Sequence, residues 1–212
     1  LPDISKINNV AVADISKLDS ITFADGQKVN NQSVSLVSDA HTLISSQDAG
    51  GATSVTFSSL GSTDVLMFDI VNFDPTDKLM VQATTSSYSY NVPMTTTFFR
   101  AYHTEADSSS LAYAGGADQA QGTNYQQLSA TNSSDADSNS SGSLMLYGHS
   151  STTFVKHFTS KVASDYVGEA GAYEAFVAGY FNTTEAITAI QFKANSGGAF
   201  NGTFNLYGVA TS

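Results

Sequence analysis

The sequence predicts an all-β protein, an antiparallel sandwich or barrel preceded by an extended N-terminal arm. Three observations carry that expectation. Short segments of alternating apolar and polar residues recur from Thr42 to Val209, separated by clusters of Ser, Thr, Asn and Gly. No long segment shows an apolar stripe at the helical period. The first thirty residues, by contrast, hold a short internal repeat.

The arm comes first. Asp3-Ile4-Ser5-Lys6-Ile7 recurs as Asp14-Ile15-Ser16-Lys17-Leu18, a period of 11 residues. Apolar side chains fall at matching places, with Ile4, Ile7 and Val10 answered by Ile15, Leu18 and Ile21. The Ile4/Ile7 spacing allows a short helix, but Asn8-Asn9 and Asp19-Ser20 favour turns. Two copies are too few to bury a core of their own. Residues 1–30 are therefore expected to anchor or oligomerise the chain by laying Ile4, Ile7, Val10, Ile15, Leu18 and Ile21 against other chains. The alternative is an arm folded on its own domain.

Residues 31–212 are expected to form the sandwich. Residues 34–37 and 42–44 are weak strand signals, and 53–57 is stronger. Residues 64–73 read as a strand with Leu66, Phe68 and Ile70 on one face. Residues 78–83 place Leu79 beside Val81, and 95–102 is rich in Thr and Phe, as strands prefer. Residues 117–142 are the least regular stretch, and their second half reads as a long surface loop open to partner contact. Leu144 and Leu146 pair in 143–147, and Phe154 and Phe158 are expected on one side of 153–162. Residues 173–181, 187–193 and 203–209 complete the set, with Ile190, Phe192, Phe204 and Leu206 facing in. Pro75 and Pro93 fall between strands, where a missing N–H does no harm.

Composition narrows the function classes. Charged residues make up 13%, against roughly 25% in an average globular chain. Acidic residues outnumber basic ones 19 to 8, a formal charge of −11. Nucleic acid and anionic membrane surfaces are disfavoured as partners, because their phosphates would be repelled. With no Cys, there is neither a disulfide nor a thiolate metal ligand. No charged-then-apolar leader opens the chain, and a start at Leu1 rather than Met implies at least one residue ahead of it.

The search for chemistry yields only weak groupings. Glu169, Glu174 and Glu185 are the nearest approach to a glycosidase pair, but spacing in sequence does not fix the separation in space that such chemistry needs. His103, Glu105 and Asp107 alternate as metal ligands could, and equally as a solvated strand end does. His149, Ser150 and Asp165 can be drawn as a triad, yet no Gly-x-Ser-x-Gly elbow accompanies them, and His149 and His157 read as surface or interface residues. Asp135, Asp137 and Asn139 start like a calcium loop, but Ser140 stands where its Gly should be and Leu146 where its Glu should be. The expectation is no catalytic residue, no cofactor and no metal. Ten tyrosines accompany no Trp, and Tyr88 and Tyr90 are expected on one face of a strand as candidate ligand contacts.

Several runs carry a family resemblance. They are Val55-Thr56-Phe57, Asp64 to Ile70, Asp74-Pro75, and Gly142 to Tyr147. The fullest is the ending, Ile187 to Phe192, a turn at Gly197-Gly198, and Gly202-Thr203-Phe204-Asn205-Leu206-Tyr207-Gly208-Val209. Together they resemble the β-sandwich domains of tailed-bacteriophage virion proteins, of the capsid-decorating and tail-fibre kinds. The resemblance spans roughly Thr53 to Val209 and includes no catalytic signature. It implies a jelly-roll-like sandwich on the outer surface of a virion, with major capsid or tail proteins as partners. By the same analogy the chain is a homo-oligomer, with a trimer favoured. Read from the residues alone, Gly208 should permit a close approach or a bulge in the last strand.

The function expected is thus a non-enzymatic structural protein of a phage virion surface, assembling through its arm. The alternative is a carbohydrate-binding module of a tail fibre that contacts host surface glycan. A glycan depolymerase is the least supported reading.

Overall fold

The computed structural model describes residues 40–165 and 171–210, together with the backbone of four two-residue strands in the first 39 residues. The chain divides into a unit of residues 1–39 and a unit of residues 40–212, a later break than the one expected after residue 30. In the first unit β1 (Lys6–Ile7) pairs antiparallel with β2 (Val10–Ala11), Ile7 opposite Val10. Strand pairing on either side of Asn8-Asn9 is what the turn reading requires. β3 (Lys28–Val29) and β4 (Gln32–Ser33) pair in the same way around Asn30-Asn31. The expected contact residues Ile4, Ile15, Leu18 and Ile21, and the weak strand at 34–37, lie outside the described residues.

The second unit is an all-β antiparallel sandwich. Its strands are β5 (His41–Asp48), β6 (Val55–Phe57), β7 (Val65–Phe73), β8 (Leu79–Thr84), β9 (Met94–Thr104) and β10 (Ser109–Tyr113). Then follow β11 (Gln126–Gln127), β12 (Ser140–Tyr147), β13 (Lys156–Asp165), β14 (Gly171–Phe181), β15 (Ala189–Ala194) and β16 (Thr203–Val209). The large sheet runs β10-β9-β14-β13-β12-β7-β16-β5 and the small sheet β11-β8-β15-β6.

Four strand pairs are nested in sequence. β7 pairs with β16, β8 with β15, β9 with β14, and β12 with β13. Nested pairing is how a jelly roll is wound. Here the β12–β13 pair lies in the large sheet between β7 and β14, so the sheets are unequal. The apolar register explains the placement. Leu144 stands opposite Phe68 and Leu146 opposite Leu66, so one inner face continues across both strands.

The core forms where the two inner faces meet. Phe68 and Phe204 of the large sheet reach Phe192 of the small one, with ring centroids 5.4 Å apart in each case. Phe57 closes the cluster, 5.5 Å from Phe68. All four rings are buried, and each contributes roughly 2–3 kcal/mol of transfer free energy. The expected inward faces are observed: Leu66, Phe68, Ile70, Leu79, Val81, Leu144, Leu146, Ile190, Phe192, Phe204 and Leu206 are all buried. Gly208 is a close-approach point, since a Cβ there would come 2.7 Å from the Thr63 hydroxyl. A register shift between Leu206 and Tyr207 marks the neighbouring bulge.

Three expectations are corrected. Phe154 does not share the buried side with Phe158 but is 71% exposed. The Ser151 hydroxyl accepts the N–H groups of Thr153 and Phe154, turning the chain before β13 begins. The stretch 130–142 is not a surface loop throughout. Asn132 is buried, and its amide donates to the carbonyls of Phe73 (2.9 Å) and Pro75 (3.2 Å). His149 is buried rather than on the surface, and its carbonyl accepts the Ile187 N–H at 2.8 Å. Burial pushes the imidazole below its ordinary range, against smaller opposing effects of the Gly61 backbone and Asp64.

Candidate ligand-binding site

The small sheet has a second face, turned away from the core. Strand alternation puts Met80 of β8, Gln127 of β11, and Gln191 and Lys193 of β15 there. Lys193 and Gln127 both stand opposite Met80. Two connections fold over part of this face, residues 85–93 between β8 and β9 and residues 114–125 between β10 and β11. What they leave open is a hollow of about 610 Å³. Its lining includes Lys78, Met80, Tyr90, Asp118, Gln119, Asn124, Tyr125, Gln127, Lys193 and Asn195.

Gln82 pins both connections. It lies on the outward face of β8, yet it is fully buried beneath them. Its side-chain N–H groups face the carbonyls of Val92 (3.2 Å), Thr123 (3.2 Å) and Asn124 (3.1 Å), while its oxygen accepts the Ala83 N–H at 2.8 Å. A further tie runs to the large sheet, where Gly122 and Met94 exchange two backbone hydrogen bonds at 2.8 and 3.0 Å.

The wall carrying Tyr90 is held by one carboxylate. Glu185 accepts from the hydroxyls of Thr85 (2.7 Å), Ser86 (2.8 Å) and Ser87 (2.5 Å) and from the Ser87 N–H (3.1 Å). These hydrogen bonds, those from the Ser87 and Thr85 hydroxyls foremost, hold its carboxyl down at about 2. The Thr85 N–H donates to the Tyr88 carbonyl at 2.9 Å, closing the turn that ends β8. Tyr88 and Tyr90 therefore do not share a strand face. Tyr88 packs against the core, whereas Tyr90 takes the left-handed region at φ 52° and lines the hollow. That conformation is costly for a bulky residue and persists only where its surroundings enforce it.

Tyr125 forms the other aromatic surface. Its hydroxyl donates to the Gln191 side-chain oxygen, and the Gln191 amide donates to the Thr56 hydroxyl at 2.9 Å. Burial, with a smaller effect of neighbouring Tyr90, raises its phenol above the ordinary range, so the hydroxyl stays protonated. The Lys193 ammonium stands 4.2 Å from the Tyr125 ring centroid, a cation–π contact. The hollow thus offers two tyrosine rings, two ammonium groups and several amides. Tyrosine rings can stack on a polar ligand, and ammonium and amide groups can hydrogen-bond one.

The other groupings are dispersed. Glu174 is ion-paired with Lys161 at 2.8 Å on the outer face of the large sheet, Glu185 is occupied as described, and Glu169 lies outside the described residues. Among the described residues His103 is ion-paired with Asp107, at 3.2 Å, with both side chains largely exposed. Among the described residues no three His, Asp or Glu side chains converge on a metal position. Asp135 accepts the Ser133 hydroxyl at 3.0 Å, and Asn139 donates to the Asp137 carbonyl at 3.2 Å. A second exposed surface lies on the large sheet, where Phe99 and Phe176 stack at 4.8 Å beside Tyr113 and the exposed Leu111. It is the outer face of a sheet and not a hollow.

Of the residues at the hollow, the sequence pointed to Tyr90, on the expectation of a strand face shared with Tyr88 that the structure does not show. It did not point to Tyr125, Lys193 or Gln82. Their joint signal is faint, because β11 is two residues long and its partners come from three separate segments. Comparison with protein-family models, with curated proteins and with solved structures finds no match to this chain.

Proposed function

We propose that the chain is a non-enzymatic saccharide-binding module displayed on the outer surface of a virion, where it serves attachment to host glycan. The observation that carries the binding half is the hollow on the small sheet, in which the rings of Tyr90 and Tyr125 stand among Lys, Asn and Gln side chains. Sugars present apolar C–H faces to aromatic rings and hydroxyls to amides, and this lining offers both kinds of partner. The setting rests on the resemblance of residues 53–209 to phage virion sandwiches. The test is a glycan array probed with the full chain and with Tyr125→Ala. Retention of a defined set of glycans, weakened about tenfold by the substitution (~1.4 kcal/mol), is the expected result. No retained glycan, or retention indifferent to Tyr125, would count against the reading.

A structural role is the second reading, favoured by the division into units of residues 1–39 and 40–212. On this reading the first unit docks the protein to capsid or tail proteins, or trimerises it, by burying apolar side chains and pairing strand edges. Deleting residues 1–24 should leave a folded sandwich whose solution mass, by light scattering, drops from trimer to monomer. A truncated chain that assembles as the full chain does would sink it.

A further inference from the structure

The charge of the hollow runs against that of the molecule. Residues 40–212 contain five Lys and Arg residues, namely Lys78, Arg100, Lys156, Lys161 and Lys193. Two of the five, Lys78 and Lys193, line the hollow, and Asp118 is the one carboxylate in its lining. Asp118 is engaged by the Tyr113 hydroxyl at 2.5 Å. Lys161 already has Glu174. Lys156 is buried and spends its protons on the carbonyls of Phe154 (2.9 Å) and Thr183 (3.2 Å). Among the described residues, neither Lys78 nor Lys193 is ion-paired to a carboxylate.

The sheet register roots the two lysines side by side. Lys193 stands opposite Met80, and the Asn195 N–H donates to the Lys78 carbonyl at 3.0 Å. Lys78 and Lys193 are therefore diagonal neighbours on adjacent strands and on one face, a separation of roughly 7–8 Å. Two flexible side chains rooted that far apart converge on a group of carboxylate or sulfate size. The Tyr125 ring fixes one of them, and an ammonium lying over a ring still has N–H donors to give. The two ammonium groups outnumber the one carboxylate of the lining, so the hollow is net positive and an anionic ligand offsets that charge.

We propose that the hollow selects saccharides that carry an anionic group, with Lys78 and Lys193 holding the carboxylate or sulfate and Tyr125 the sugar ring. This rests on the saccharide-binding reading above. In a molecule of net charge −11, an anionic polymer is repelled over most of the surface, so a local lysine pair confers selectivity as well as affinity.

The test uses the full chain against an array that pairs uronate oligosaccharides with their carboxyl-reduced counterparts, beside sulfated and unsulfated galactan oligosaccharides. Binding is then quantified by calorimetry for the native protein, Lys78→Gln and Lys193→Gln. The expected result is an acidic member bound at least about tenfold more tightly than its neutral counterpart. That preference shrinks as salt is raised and is lost in either variant, each of which weakens the acidic member more than its neutral counterpart. The uronate and sulfate arms identify which anion is held. Acidic and neutral members bound alike, with both variants behaving as native, would overturn the charge selection and leave saccharide binding standing. An array on which nothing is retained would overturn both.

Discussion

Glu185 does its work from outside the hollow. Three neighbouring hydroxyls and an N–H converge on it, and the chain they belong to leads to Tyr90. Its carboxyl is held at about 2, below the ordinary Glu range, by those hydrogen bonds. A carboxyl depressed on folding contributes stability that is complete above the ordinary Glu range and is lost as pH falls through about 2. The clamp should therefore survive at pH values where an unperturbed Glu is already protonated. Hydrogen exchange on the Ser87 N–H checks this. Protection should be the same at mildly acidic and neutral pH in the native protein, and lower at both in Glu185→Ala, where the Thr85 hydroxyl remains as an acceptor at 3.2 Å. Loss of protection at mildly acidic pH in the native protein would contradict the account. No feature of the sequence marked Glu185 for this role, because its partners lie about a hundred residues away along the chain.

At the scale of elements, strands with one buried face were readable and the segments between them were not. β7, β12 and β16 alternate strictly where they meet the core, so Phe68, Leu144 and Phe204 could be placed from periodicity alone. β10 escaped notice because its residues are mostly exposed, and an edge strand with no buried face leaves no alternating pattern. β11 was too short to carry one. Gln82 shows the opposite difficulty. It occupies an outward place in a strand, where a polar residue looks solvated, and the covering connections become visible only in three dimensions. Replacing it with Leu leaves the carbonyls of Val92, Thr123 and Asn124 without their shared donor. Gln82→Leu should cost about 2 kcal/mol in a denaturant titration. It should also weaken saccharide retention more than Phe68→Ala does in the folded fraction, since only the former loosens both walls of the hollow.

For the whole molecule, nested pairing fixes where the hollow lies. Pairing β8 with β15 turns one face of a narrow sheet outward, and the connections on either side of β9–β10 rise over it. The same winding puts eight strands in the other sheet, whose broad outer face presents Phe99, Phe176, Leu111 and Tyr113 near one edge. Composition had foretold an acidic, weakly charged body, and the body is that. It had not foretold that two of its few lysines would gather on one small face, because Lys78 and Lys193 become neighbours only through the β8–β15 register. The direct measurement is a backbone-amide NMR titration of the full chain with a retained oligosaccharide. Saccharide binding in the hollow predicts that shifted resonances cluster at Lys78, Tyr90, Asn124, Tyr125 and Lys193. Shifts gathered instead around Phe99, Leu111 and Tyr113 would place the contact on the large sheet and contradict the account.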